Sequence, residues 1–335
     1  MRRPFVQLIV LIAAVMGLTG RACAQSYTVT SISPVSLGNV AAGSAGETVL
    51  RVNPATGTVA VASGTGGAVA AVSGRSLITL NCGTSNRCNF SSSAPSVTVS
   101  AIGTPTNRAG SLRNLTISTV GATAVIRTAP GTGSSISFVL EPFGQNTSKT
   151  FWLGFDLPIN GDDSGQSTGI STAQFVVTVA VPFTTFTTSL SATVSANVFR
   201  ALAITKSADL NFGKIYSPSV GSGTVSLNPT TGLISVTGTG TAAIPAVSPT
   251  VAQFAVSGEG GQSISVSVPS TFTMTAPGGT IQVTTSPNVR GAQVLSGTAG
   301  SAGGLAIRVG GSYPVSAGMP AGTYSGTFAV VVQYN

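Results

Sequence analysis

The chain has 335 residues, of which 42% are hydrophobic and only 7% are charged, a balance opposite to that of disordered chains, so we expect it to fold. It contains no histidine, which removes the most common general base and metal ligand, so we expect no enzyme, no metal site and no cofactor. The formal net charge is +8, but the basic residues are scattered singly, which argues against binding to nucleic acid or to an anionic membrane.

The N-terminus has the features of a secretory signal peptide. Two arginines precede an apolar run over residues 5–18, and an Ala-Cys-Ala triplet ends at Ala24. We predict that residues 1–24 are removed by cleavage between Ala24 and Gln25. No later run approaches the ~20 apolar residues that span a bilayer, so we expect an exported mature chain without a transmembrane segment.

Short alternating runs separated by turn residues continue through the rest of the chain. Ile78 and Leu80, and later Ile264, Val266 and Val268, recur at every second residue, which is the period of a strand with one buried face. The abundance of Gly, Ser, Thr, Val and Ala favours strands and tight turns over helices. The sequence therefore predicts an all-β sandwich protein.

Two cysteines remain after the predicted cleavage, Cys82 and Cys88. Two cysteines this close together in an exported protein indicate a disulfide. Because the closed loop is small, the chain-entropy model gives a stabilisation of only about 2 kcal/mol. A metal site is not supported, since no further Cys or His ligand accompanies the pair.

Two other groups of side chains are candidates for ligand binding. Asp156, Asp162 and Asp163 form the only acidic cluster and could hold calcium through oxygen ligands, but their spacing does not match an EF-hand loop. Asx residues beside glycines are ordinary turn chemistry, which is the interpretation that we favour. Trp152 could form a sugar platform, although its place beside an apolar strand favours core packing.

The last residues of the chain have the same alternating pattern. Phe328, Val330, Val332 and Tyr334 alternate with alanine, valine and glutamine, which predicts a β-strand that ends with the chain.

A series of motifs leads up to this strand. In order they are Leu210-Asn211-Phe212-Gly213-Lys214-Ile215, Gly223-Thr224-Val225, Asn228-Pro229-Thr230-Thr231-Gly232, Val309-Gly310-Gly311 and Ala321-Gly322-Thr323-Tyr324-Ser325-Gly326-Thr327-Phe328. Over residues 201–335 they resemble the bacterial secreted domain-of-unknown-function family 4402. The resemblance implies a small pilin-like, immunoglobulin-like β-domain that is exported and builds surface appendages. That family has no known catalytic residues, so none is carried over to this sequence.

Some of these motifs occur twice. Leu37-Gly38-Asn39-Val40 and Asn53-Pro54-Ala55-Thr56-Gly57 precede Phe212-Gly213-Lys214-Ile215 and Asn228-Pro229-Thr230-Thr231-Gly232 by 175 residues. An internal repeat of this length indicates two domains of one fold. We therefore predict two tandem immunoglobulin-like sandwiches, with a diverged copy of the family domain over residues 35–181. The predicted domains are residues 25–181 and 199–335, joined by residues 182–198.

The joining stretch is itself patterned, which a flexible linker would not need. Its alternating apolar residues are Leu190, Ala192, Val194, Ala196 and Val198. In the single-domain relatives that the chain resembles, the equivalent stretch directly follows the signal peptide and is similar to a donor strand that one pilin lends to another's sheet. The alternative is an ordinary first strand of the second domain, and a period of two fits both.

The last strand suggests where such a segment would bind. Since nothing in the sequence follows it, we expect an open edge beside Phe328, Val330, Val332 and Tyr334. Open apolar edges pair with other chains. The prediction is a groove that takes an extended segment from another subunit or from a chaperone.

Together these features predict a secreted, non-enzymatic, structural or adhesive protein. We expect a tip or adaptor subunit of a bacterial surface fibre assembled by strand exchange, with other fibre subunits and a periplasmic chaperone as partners. It would pass through the periplasm to the cell surface or the extracellular medium. The alternative is a free-standing extracellular binding or coat protein, such as a carbohydrate-binding module.

Overall fold

The structure is a computed structural model that describes residues 27–70, 73–84, 86–181, 187–244 and 247–335. The predicted signal peptide, its cleavage site and residues 182–186 of the joining stretch lie outside the described residues. Within the described ranges, no helix has the length and apolar character needed to span a bilayer.

The first half of the chain is built almost wholly of strands. They are β1 (Tyr27–Ile32), β2 (Val35–Ala41), β3 (Glu47–Val52), β4 (Val59–Ser63), β5 (Gly67–Ala68), β6 (Ser76–Cys82), β7 (Ser96–Ile102), β8 (Arg113–Ser118), β9 (Ile126–Thr128), β10 (Ser135–Leu140), β11 (Ser148–Asn160), β12 (Gly169–Ala180) and β13 (Thr187–Phe199). Short 3₁₀ helices cover Asn86–Asn89, Ser91–Ser93 and Asp162–Ser164.

These strands form two facing sheets. One has the order β1-β6-β11-β3-β4, with β8 also paired to β11, and the other has the order β5-β2-β13-β12-β7-β10-β9. Successive side chains of each strand point alternately into and out of the sandwich. In β12, Phe175, Val177 and Val179 are buried, whereas Gln174, which precedes Phe175, is exposed. One continuous hydrophobic core lies between the sheets.

The second half is also made of strands. They are β14 (Ala203–Ala208), β15 (Ile215–Tyr216), β16 (Ser222–Leu227), β17 (Ile234–Thr237), β18 (Ala242–Ala243), β19 (Ala252–Glu259), β20 (Ser263–Ser267), β21 (Thr271–Ala276), β22 (Gly279–Pro287), β23 (Gly291–Val294), β24 (Ala302–Ser316) and β25 (Val331–Tyr334).

Their sheets are smaller and less connected. A large sheet has the order β14-β19-β24-β16-β17, with β22 and β21 joined to it through β24. Opposite it lie β15-β18 and β23-β20-β25 as separate short sheets. The buried apolar residues fall into two clusters, and Leu210 packs against both. The prediction of an all-β, immunoglobulin-like protein is confirmed.

Strand pairs of the first half recur in the second half. Val52 pairs with Val59 between β3 and β4, and the residues 175 positions later, Leu227 and Ile234, pair between β16 and β17. The short pairs β2–β5 and β15–β18 have the same relation. The spacing seen in the sequence motifs thus also holds in the strand registers. That the first half is a diverged copy of the family domain, with the boundaries given above, stays a prediction.

Candidate functional site

In the first half, β13 lies between β2 and β12. It is antiparallel to β12 from Gly169↔Val198 to Ala180↔Thr187, and parallel to β2 on its other side. Its inward side chains Val194, Ala196 and Val198 are buried in the core. The strand therefore covers the core and satisfies the backbone groups of both neighbours.

The donor-like segment is thus located in the first sandwich. The sequence left two alternatives, a strand lent to another subunit or the first strand of the second domain. Of its residues, Val194, Ala196 and Val198 are buried, Ala192 is partly buried, and Leu190 is exposed. In this chain they complete the sheet of the preceding half, because β13 follows β12 along the chain and folds back to pair antiparallel with it.

The second half has the two neighbours of such a strand but, among the described residues, no strand between them. There β15 pairs only with β18, and β25 pairs only with β20. β25 occupies the place of β12, since Val332 and Tyr334 end an alternating apolar row that begins at Phe328, and since β25 pairs antiparallel with β20 as β12 does with β7. One edge of β25 is consequently unpaired within the described chain.

Burial differs between the two halves in the way that a missing strand would produce. Phe175 and Val177 are fully buried, with 0% of their surface exposed. Their counterparts Phe328 and Val330, together with Val332, are only partly buried. The four predicted groove residues, Tyr334 included, therefore line an apolar strip beside the free edge, which we call the second-half groove.

The groove is anchored at one end by aromatic packing. The ring of Phe328 lies 5.0 Å from that of Phe272 and 6.4 Å from that of Phe254, measured between centroids. Phe328 precedes β25, so these contacts hold the chain that leads into the strand against the large sheet.

The other end of the groove meets the junction of the two halves. The ring of Tyr334 lies 5.6 Å from that of Phe199, its hydroxyl donates to the carbonyl of Arg200 (3.0 Å), and it accepts from the amide of Glu259 (2.7 Å). Burial raises the pKa of Tyr334, and the charges of Glu259 and Asp162 raise it further. The hydroxyl therefore stays protonated at neutral pH and keeps its donor role.

Two carboxylates hold the peptide that crosses this junction. Glu259, 2% exposed, accepts from the amide of Arg200 (3.2 Å) and from the hydroxyl of Thr168 in the first half (2.9 Å). Asp162 of the first half accepts from the amide of Ala201 (3.0 Å). Sequence reasoning did not identify this cluster. The signal available was Glu259 itself, an acidic residue in a chain with few charges.

One family model matches most of the second half. Residues 202–334 match the model of the family described as "Domain of unknown function (DUF4402)". The resemblance drawn from the sequence motifs is confirmed for this segment. None of the curated proteins matches the chain.

Among the solved structures that match the chain are two of low identity and low TM-score. One is the CsuC-CsuE chaperone–tip adhesion subunit pre-assembly complex from archaic chaperone-usher Csu pili of Acinetobacter baumannii, at 12% identity and a TM-score of 0.23, covering 91% of this chain and 99% of that chain. The other is a chaperone–tip adhesin complex of CFA/I fimbriae biogenesis, at 11% identity and a TM-score of 0.22, covering 90% and 97% respectively.

The predicted disulfide is present. Cys82 ends β6 and Cys88 lies in the 3₁₀ helix Asn86–Asn89, and their sulfur atoms are bonded. The hydroxyl of Tyr27 donates to the carbonyl of Cys88 at 2.7 Å. The disulfide closes a loop of the first half, and the hydrogen bond from Tyr27 holds this loop against β1. Both bonds lie far along the chain from the DUF4402 segment.

The three acidic residues of the cluster have separate partners. Asp156 accepts hydrogen bonds from Arg51, Asp162 pairs with Arg108, and Asp163 accepts from the amide of Gly46 (3.0 Å). In the described part of the chain, no group of three or more His, Cys, Asp or Glu side chains is placed to hold a metal ion.

One face of the Trp152 ring is covered by another side chain. The guanidinium carbon of Arg75 lies 3.8 Å from the centre of its ring. Arg75 is held there because it also donates to the carbonyl of Pro54 (2.8 Å). A sugar could not stack on the covered face without displacing this arginine.

Proposed function

We propose that the protein is a non-enzymatic subunit of a bacterial surface fibre that accepts an extended segment of a partner in its second-half groove. The observation that carries the proposal is the free edge of β25 beside Phe328, Val330 and Val332, whose counterparts in the first half are covered by β13. The donor is another fibre subunit, and before assembly a periplasmic chaperone protects the same edge. Strand addition satisfies the backbone groups of the edge and buries the apolar strip.

We further propose the tip position in the fibre, where a subunit accepts a strand and lends none. β1 pairs with β6 from Tyr27 onward. A chain cleaved between Ala24 and Gln25 would therefore have its first strand engaged in its own sheet. β13 is likewise held between two neighbours, so neither segment is free to enter another subunit. Such a chain would be exported through the periplasm and displayed at the cell surface.

The proposal is tested with the mature chain, residues 25–335, and a synthetic peptide of residues 188–199. We expect the peptide to raise the melting temperature of the second half in a concentration-dependent way, since it binds the folded form only. A peptide with Val194, Ala196 and Val198 replaced by aspartate is the control and should have no effect.

Variants of the acceptor strand give the second arm. Val332→Asp places a charge in the groove and should abolish the peptide effect, whereas Ala329→Asp, an exposed position two residues before the strand, should retain it. Circular dichroism checks that both variants fold. A folded wild-type chain that is indifferent to the peptide would show that the groove does not accept strands.

A further inference from the structure

We propose that the segment filling the second-half groove continues past Tyr334 into a cavity between the two halves, so that its leading residues bind to both. This inference rests on the proposed strand exchange and adds to it a binding site for the start of the incoming segment. The first half would then take part in binding, although the groove belongs to the second half.

The cavity has a volume of about 660 Å³ and is walled by both halves. Residues 201–203 and 333–334 of the second half form one wall. Residues 41–44 and 65–69 of the first half form the other. Because Gln333 and Tyr334 are also the end of β25, the cavity is continuous with the end of the groove.

The direction of the incoming segment follows from the first half. There β13 runs antiparallel to β12, with Thr188 opposite Val179 and Thr187 opposite Ala180. Val179 corresponds to Val332 in the alternating row. A segment with the same register would therefore place the counterpart of Thr188 opposite Val332, and the residues before it would pass Gln333 and Tyr334.

A contact of Thr188 in the first half identifies the wall that these residues would meet. Its hydroxyl donates to the carbonyl of Tyr27 and accepts from the amide of Val29, both at 3.3 Å, so the start of β13 lies against the start of β1. The strand of the second half in the place of β1 is β14, which begins at Ala203. Ala203 lines the cavity, so the cavity is where the start of the incoming segment belongs.

The chemistry of the walls restricts the occupant. The lining residues are Ala, Gly, Ser, Thr, Val, Leu, Gln and Tyr, and none of them carries a charge. A volume of this size accommodates a few residues of an extended chain. The occupant is accordingly the uncharged leading stretch of a donor segment, and a charged residue there would lose solvation without gaining a partner.

The experiment compares two peptides on the mature chain, residues 25–335. The short peptide, residues 188–199, starts opposite Val332, and the long peptide, residues 184–199, adds four uncharged residues that would enter the cavity. We expect the long peptide to bind about tenfold more tightly, the gain from partly burying the added threonine and phenylalanine side chains. Binding is measured by fluorescence anisotropy of labelled peptides.

A variant of the first half decides whether its wall contributes. Ser44 is exposed and lines the cavity, so Ser44→Trp fills the space without disturbing the core. It should remove the tenfold advantage of the long peptide and leave the short peptide unaffected. The matched control is Ser92→Trp, another exposed serine of the first half. It lies in the 3₁₀ helix Ser91–Ser93 before β7, and the start of β7 pairs with the end of β12 that is farthest from Phe199.

A photo-crosslink gives a direct readout that does not depend on a variant. The long peptide with benzoylphenylalanine in place of residue 186 should crosslink to residues 41–44 or 65–69. If both peptides bind equally, Ser44→Trp changes neither, and the crosslinks fall only in the second half, the inference is wrong while strand exchange stands. If neither peptide binds, the proposed function itself fails.

Discussion

At the scale of single residues, the carboxylate of Asp156 makes the first half sensitive to acid. It is 2% exposed and accepts hydrogen bonds from Arg51 at 2.8 and 2.7 Å and from Asn114 at 2.7 Å. Burial alone would raise the pKa of Asp156, but these hydrogen bonds and the charges of Arg51 and Arg113 outweigh it and lower the pKa.

A lowered pKa in the folded state adds stability that is present above the pKa of the unfolded chain, about 3.9. This contribution is lost as the pH falls below that value toward the folded pKa of Asp156. We expect urea unfolding, followed through the fluorescence of Trp152, to show declining stability of the first half below about pH 4.

Asp156→Asn should flatten this decline and cost about 1–2 kcal/mol at pH 7, because the buried carboxylate loses its charge-assisted hydrogen bonds from Arg51, whose own side chain is 57% exposed to screening solvent. The exposed Glu141→Gln is the control and should change stability by less than about 0.5 kcal/mol. Equal acid sensitivity of Asp156→Asn and wild type would contradict the assignment.

At the scale of elements, β13 is expected to be essential to the first half and irrelevant to the core of the second. Val194→Asp buries an unpaired charge at a fully buried position, so it should unfold the first half. Ser191→Asp, on the exposed face of the same strand, should be tolerated. The chain has one tryptophan, Trp152, so its fluorescence reports on the first half alone. If Val194→Asp leaves its unfolding transition in place, β13 is not part of that sandwich in solution.

The same strand marks the limit of what the sequence can predict. A period of two identifies one buried face and one exposed face, so the alternation from Leu190 to Val198 predicted a strand correctly. The alternation does not show which strands β13 pairs with. The hydrogen bonds to β2 and β12 use backbone atoms that are common to all residue types, and those to β2 join residues that are distant in sequence.

Local features were more predictable than convergent ones. The pair Cys82 and Cys88 is close in sequence, and each DUF4402 motif is a short uninterrupted run of residues. By contrast, Glu259, Thr168 and Arg200 meet only because two halves dock. Asp162 and Asp163 are adjacent in sequence yet bind different partners, since consecutive side chains point in different directions.

At the scale of the whole molecule, the junction determines whether the two halves act as one body. The carbonyl of Arg200 accepts from Tyr334 and its amide donates to Glu259, so the crossing peptide is fixed by the second half on both sides. Asp162 adds a bond from the first half to the next amide, that of Ala201. The end of β25 is therefore connected to the first half through Tyr334, whose ring also packs against Phe199.

Glu259→Ala should release this junction. The amides of Arg200 and Gly300 and the hydroxyl of Thr168 would lose their acceptor, at a cost of about 1–3 kcal/mol for each one that stays buried.

Trypsin cleaves after arginine, so its cleavage after Arg200 reports on the state of the junction. In the wild type we expect the bond between Arg200 and Ala201 to resist trypsin, and in Glu259→Ala we expect early cleavage there into two fragments, resolved by mass spectrometry. Glu47→Gln, which removes an exposed partner of Arg113, serves as the control and should match the wild type. Cleavage at Arg200 at the same rate in all three proteins would mean that the carboxylate does not hold the halves together.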